Sequence, residues 1–233
     1  FIHSMLDEFR YPDPEYERFL NSLDPDILAA WRDGSWDVFE GQYFSEWDKE
    51  KHVVMPFQIP SGWRRFRVYD HGRESPACCK WYALGYDGRV YCYREFYQAG
   101  LNVDQIAKEI TRLSEGESYP YSVADPSIFA KLGFVDAYGG QTIAETFSRY
   151  GVQFIPASNR RIDGWNLMHQ YLHWDDNKLP KLIYFNVCYN SIRTIPVLIH
   201  DDHKPEDVNT RSEDHAADCD RYFLLSLHEQ ASQ

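Results

Sequence analysis

Three acidic positions have the residue type and setting for metal chemistry. Asp70, in Tyr69-Asp70-His71-Gly72, ends a run of strand-forming residues, and Asp125, in Val123-Ala124-Asp125-Pro126, ends another. Aspartate is a poor strand residue, and an acid closing an apolar strand faces desolvation unless a cation neutralises it. Taken singly, each could equally open a turn or cap the helix that follows. The third group is Glu213-Asp214-His215-Ala216-Ala217-Asp218. His215 and Asp218 are three apart and Asp214 and Asp218 four apart, which projects them from one side of a helix. Asp214 also fits as a solvated charge at a helix start, favoured by the helix dipole. Carboxylate oxygens with an occasional histidine suit hard Mg2+ or Mn2+ rather than zinc. Two such ions about 3.5 to 4 Å apart can activate a water and stabilise the leaving oxygen of a phosphodiester. Phosphodiester hydrolysis is the chemistry indicated.

The elements that must position these groups can be read from periodicity. Phe66 to Asp70, Ala77 to Tyr86 and Val90 to Tyr97 are β-rich, and Asp87-Gly88 between the last two is a strong hairpin signal. Val103, Ile106, Ala107 and Ile110 form a helical stripe over Val103 to Leu113, and Tyr119 to Asp125 returns to strand, giving βββαβ. Beyond it the pattern predicts a helix about Ile143 to Tyr150, a strand Val152 to Pro156, a helix Ile162 to Trp174, a strand Leu182 to Phe185 and a last helix from Ser212 to Glu229, with Thr210 and Glu213 at capping-box spacing. Before all of these, residues 13 to 36 read as two short amphipathic helices, and breaks near Gly34 to Phe44 and Pro56 to Gly62 place a boundary near residue 58.

The 233 residues carry a formal charge of -12, which at first opposes a nucleic-acid partner. The acidity is local. Residues 1 to 51 have a net of -8, residues 200 to 220 a net of -6, and the remainder is +2. With 43% apolar residues the chain can build a core, and no apolar run approaches the roughly 18 residues of a membrane span. The five cysteines, odd in number and never spaced C-x-x-C, fit neither a disulfide framework nor a zinc knuckle, so a reducing, cytosolic setting is expected. The start Phe1-Ile2-His3-Ser4-Met5 is neither a signal peptide nor an ordinary initiator, and a piece of a longer protein is expected.

In order and spacing, several motifs together resemble the nuclease domain of the large terminase subunit of tailed bacteriophages. They are Gly34-Ser35-Trp36 with Gly41-Gln42-Tyr43-Phe44, Tyr69-Asp70-His71-Gly72 with Ser75-Pro76, Val123-Ala124-Asp125-Pro126-Ser127, Arg161-Ile162-Asp163-Gly164-Trp165, and Pro205-Glu206-Asp207-Val208 leading to Asp214-His215-Ala216-Ala217-Asp218. The resemblance implies an α/β, RNase H-like fold, a mixed central sheet with flanking helices. It implies a metal-dependent endonuclease that cuts concatemeric double-stranded viral DNA during packaging, in the host cytoplasm at the procapsid portal. Asp70, Asp125 and Asp218 would be its metal-binding carboxylates, His215 an accessory ligand or proton carrier, and Asp214 a weaker addition. The implied partners are the ATPase motor of the same polypeptide, the small terminase subunit and the portal protein. Residues 1–58 would be the motor's tail and connector, and 59–233 the nuclease. No G-x-x-x-x-G-K-[ST] loop occurs, so no ATPase activity is expected of this chain. His71 stands where the family more often has an aromatic.

Arg64, Arg65 and Arg67 before the first strand, and Arg160-Arg161 before a helix, are candidate DNA-phosphate contacts, with Arg73 and Lys80 nearer Asp70. Trp81, Tyr91, Tyr93 and Tyr97 read as sheet packing rather than base-stacking platforms, and His200-Asp201-Asp202-His203 as an acidic loop. A structure-selective nuclease such as a junction resolvase, or a non-catalytic domain docking on portal or small terminase, would account for the same acids.

Overall fold

A computed structural model describes residues 41–72, 75–131, 142–209 and 211–231. The alternating runs become strands β2 (Arg64–Asp70), β3 (Ala77–Leu84) and β4 (Val90–Gln98), an antiparallel meander. The hairpin forms between β3 and β4 as expected, but through the five residues 85–89 rather than a two-residue Asp-Gly turn, with Gly88 at φ +79°, a left-handed conformation that glycine adopts without steric cost. Helix α2 (Val103–Leu113) follows, capped by Asn102 and Gln105 in a reciprocal box, and β5 (Ser122–Ala124) returns parallel to β2.

The described strands form one seven-stranded sheet in the order β1-β7-β4-β3-β2-β5-β6, where β6 is Ile155–Pro156, β7 is Leu182–Phe185 and β1 is Val53–Val54. Every pairing except those of β3 is parallel. The helices lie on both faces. Phe66 on β2 packs on Phe223 of the long helix α6 (His215–Ala231), beside α4 (Arg161–Leu172) and α5 (Tyr189–Thr194). Tyr69, one position out of phase with Phe66, packs on Phe147 of α3 (Ile143–Arg149), which pairs with α2. This is the mixed sheet with flanking helices expected of an RNase H-like fold.

The described part of the leader, ahead of the boundary expected near residue 58, packs with the sheet. Val53–Val54 extend the sheet edge against β7, short helix α1 (Lys49–His52) precedes them, and Phe44 and Trp47 are buried in the common core. Residues 41 to 54 thus contribute to the sheet edge and the common core through aromatic side chains that read locally as a connector. The two helices expected over residues 13 to 36, and Thr210 of the expected capping box, lie outside the described residues.

Candidate active site

Asp70 and Asp125 are brought together by β2 and β5. The two strands run parallel with Tyr69 opposite Ala124, and the Asp125 backbone N–H donates to the Tyr69 carbonyl at 2.9 Å, so both acids leave the sheet at the same end. After Asp70 the chain turns tightly at Gly72, where a Cβ would lie 2.3 Å from the Ser75 carbonyl oxygen. Asp70 lies in the Phe66-Val68-Asp70 phase of the strand and faces α6. It is 4% exposed, and its Oδ2 is 2.8 Å from His215 Nδ1 on the first turn of that helix. Asp125 is half-buried and caps the 3-10 turn Pro126–Phe129, accepting from the Ser127 backbone N–H and hydroxyl, both at 2.8 Å.

Asp218 and Asp214 are placed by the packing of α4 on α6. The helices meet at Gly164, whose hypothetical Cβ would sit 2.8 Å from Arg221 Cβ, so any larger residue would force them apart. That close approach lets Arg161, one turn earlier, reach three carboxylates: Nε donates to Asp207 at 2.7 Å, one terminal nitrogen to Asp214 at 2.9 Å and the other to Asp218 at 3.2 Å. Arg221 Nε adds a second bond to Asp218 at 2.5 Å, and Trp165 Nε1 a second to Asp207 at 2.8 Å.

Charge at the site is incompletely compensated. Burial, then the nearby Asp218 and Asp125, push the Asp70 carboxyl up to about 7 against the opposing bond from His215. Burial alone would lower His215, but its bond to Asp70 outweighs this and raises it. Asp214 is likewise raised, by burial and by Asp218, against the pull of Arg161. Among the described residues, no three His, Cys, Asp or Glu side chains are gathered closely enough to hold a metal ion as they stand. The chemistry of the donor set nonetheless suits a hard divalent cation: carboxylates stand at two strand ends and on a helix, and the buried Asp70 feels two like charges that such an ion would offset. Asp218 would have to share its oxygens with Arg161 and Arg221.

The candidate cations separate in the structure. Lys80 cannot touch DNA. It is fully buried, with Nζ 2.7 Å from Asp220, because strand alternation turns it under α6. Arg161 is committed to the three acids, and Arg67 is 5% exposed on the opposite face of the sheet. Arg65 donates to the Ile59 carbonyl at 3.3 Å, while Arg64 and Arg160 are exposed, Arg160 pairing with Asp163 and Glu229. Arg73 lies outside the described residues. His71 bonds the Tyr69 hydroxyl at 2.9 Å. Asp207, not singled out from the sequence, is part of the site through Arg161. Its signal was the Pro205-Glu206-Asp207-Val208 motif.

No family profile matches the chain, and neither does any curated protein. Solved structures do. The nuclease domain of the P22 large terminase superposes with a TM-score of 0.66 at 14% identity, over 82% of this chain and 94% of that one. The fold is that of the phage large-terminase nucleases. The large terminase of a thermophilic bacteriophage, solved in complex with ADP, matches at TM-score 0.65 and 19% identity, over 96% of this chain and 54% of its own, so the chain spans about half of that protein. The large-terminase nuclease of thermophilic phage G20c with bound zinc matches at TM-score 0.52 and 12% identity, over 77% of this chain and 95% of that one. Among the described residues no helix of this terminase-nuclease fold is long and apolar enough to cross a membrane.

Proposed function

We propose that the chain is a metal-dependent endonuclease that cuts double-stranded DNA with little sequence preference, acting on concatemeric viral DNA during packaging. The observation that carries this reading is Asp70: a buried carboxylate at a strand end, with Asp125 and Asp218 both bearing on it. Mg2+ or Mn2+, as a pair of ions, would be held by Asp70, Asp125 and Asp218 with Asp214 beside them. Bound there, they supply a water nucleophile at neutral pH and charge stabilisation at the scissile phosphate. His215, with Nδ1 2.8 Å from Asp70 Oδ2, would orient that carboxylate and could hold a proton beside it. Arg161 and Arg221 fix the direction of the Asp218 carboxylate. By the same reading the chain works beside an ATPase motor of the same polypeptide, with small terminase and portal protein as partners, in the host cytoplasm, and does not itself hydrolyse ATP.

The test is digestion of supercoiled plasmid by the full chain in Mn2+, Mg2+ or EDTA, alongside Asp70→Asn, Asp125→Asn and Asp218→Asn. Nicking and linearisation that require the metal and all three acids are expected. Undiminished cutting by the variants overturns the site, and cutting in EDTA overturns the metal. Branched and linear duplexes offered together separate this reading from a junction resolvase.

A further inference from the structure

On the face of the sheet away from α6, Arg67 is a buried cation without an acid. It is 5% exposed, and its guanidinium is flanked by two rings, 4.8 Å from the Tyr119 centroid and 5.4 Å from that of Phe154. One terminal nitrogen donates to Ser114 Oγ at 2.8 Å, while Nε is buried with no partner. No ion pair joins Arg67 to a carboxylate of the described residues. By contrast, Arg94, Arg161, Arg193 and Arg221 each have one. Glu117, which lines the same cavity, is committed elsewhere: it accepts from the Tyr93 and Tyr119 hydroxyls, each at 2.6 Å, and from Arg94 at 3.0 Å.

Arg67 lines a surface cavity of about 400 Å³ together with Thr111, Ser114, Glu117, Tyr119 and Val152. A guanidinium has five N–H donors in one plane, and burying it unpaired is costly even when aromatic faces offset part of that cost. Two rings lie 4.8 and 5.4 Å from this group, and its N–H donors all lie in its plane, so an incoming anion bonds at that edge. That is the geometry of a planar carboxylate. Glu115 and Glu117 at the cavity wall repel a dianion more strongly than a monoanion, which favours a carboxylate over a phosphate.

We infer that this cavity is a carboxylate-binding site with Arg67 as its anchor, separate from the acids at the strand ends. The carboxylate comes either from a free small acid or from an acidic side chain of a bound peptide. The experiment is thermal unfolding of the full chain in sodium acetate, sodium phosphate or sodium chloride at matched ionic strength, with wild type and Arg67→Gln. Acetate is expected to raise Tm saturably by about 2 °C or more over chloride, and Arg67→Gln to abolish the rise. If Arg67→Gln does not fold, the Arg67 Nε–H resonance of the wild-type chain decides, and a saturable shift with acetate but not chloride is expected. Equal effects of acetate and chloride, a rise that survives Arg67→Gln, or tighter binding of phosphate than acetate each overturn the inference. A short glutamate-containing peptide that binds more tightly than acetate identifies a protein partner as the source, whereas equal affinity identifies a free acid.

Discussion

Helix α6 meets two charged regions, one at Asp220 and one at Asp218, that are built on opposite terms. Asp220 sits at 0% exposure and is fully answered: Lys80 Nζ and the Tyr82 hydroxyl each lie 2.7 Å from Oδ1, and the Tyr184 hydroxyl 2.9 Å from Oδ2. Lys80 also donates to the Ala216 carbonyl at 3.2 Å, which ties the first turns of α6 to β3. Near the start of that helix four carboxylates, Asp70, Asp125, Asp214 and Asp218, stand beside three cationic groups, Arg161, Arg221 and His215, and Asp70 is pushed up to about 7 by burial and its neighbours. Buried charge that serves the fold is paired one to one with its lone pairs filled, whereas an excess of buried charge is an arrangement the fold alone does not require.

The largest expected effect is on the balanced side. Lys80→Met leaves Asp220 buried without a cation, and unfolding by urea should give a loss of about 3 to 5 kcal/mol. Adding Asp220→Leu should recover most of it, because the removed pair is replaced by apolar packing. A double variant no more stable than the single one would show the two regions to be alike. On the unbalanced side the sign reverses. Asp70→Asn or Asp218→Asn should cut DNA at least about 100-fold more slowly, while Asp70→Asn melts no lower than the parent, since it removes a carboxylate whose ionisation burial opposes. A clear drop in the Tm of Asp70→Asn would mean that Asp70 is a structural acid like Asp220.

Arg161 links the two kinds of region, being a structural cation spent on the site's acids. Arg161→Gln should lower stability by about 1 to 3 kcal/mol through the loss of charge-assisted bonds to Asp207, Asp214 and Asp218. Mn2+ should raise its Tm more than it raises that of the parent, because a divalent ion can take over the charge the guanidinium supplied. An equal gain in both would mean that ion and arginine do not share ligands.

The sequence made most of the scaffold legible, because the local signals there agree with the packing. The Asp87-Gly88 hairpin signal, the strand alternation and the apolar stripe of α2 each match the element formed, and α2 has the expected Val103–Leu113 bounds. What escaped depends on partners distant in the chain. Helix α5 has no apolar periodicity, and Glu95 of β4 supplies its first turn with acceptors, bonding the backbone N–H groups of Asn190 and Ser191, both at 2.8 Å. Asp207 gains its role from Arg161, far earlier in the chain. Lys80 read as a DNA contact because it is close to Asp70 in number, yet a lysine within the run Ala77-Cys78-Cys79-Lys80-Trp81-Tyr82-Ala83 already signals a buried pair. The convergence of Asp70 and Asp125 was expected from two strand ends, and the register of β2 with β5 supplies its physical cause.

The interior also tolerates a titratable group by keeping it neutral, and this gives the smallest expected effect. His52 is fully buried and stacked on Trp47 at 5.2 Å, with Nε2 2.8 Å from the Leu172 carbonyl oxygen and Nδ1 2.7 Å from the Asp48 carbonyl oxygen and 3.0 Å from the Asp48 backbone nitrogen. Burial lowers its affinity for a proton below the ordinary 6.5, despite the opposing backbone bonds. Below pH 6.5 the unfolded chain therefore binds a proton that the native chain refuses. Stability due to His52 is complete above 6.5 and is lost as pH falls from there toward the folded value. Between about pH 7.5 and 5.5 the parent should lose up to about 1.4 kcal/mol that His52→Gln, which does not titrate, retains. Urea midpoints of both proteins at the two pH values measure the difference. Parallel losses would place a protonated His52 inside the fold, its charge favoured by the nearby Asp48 and Glu46 carboxylates.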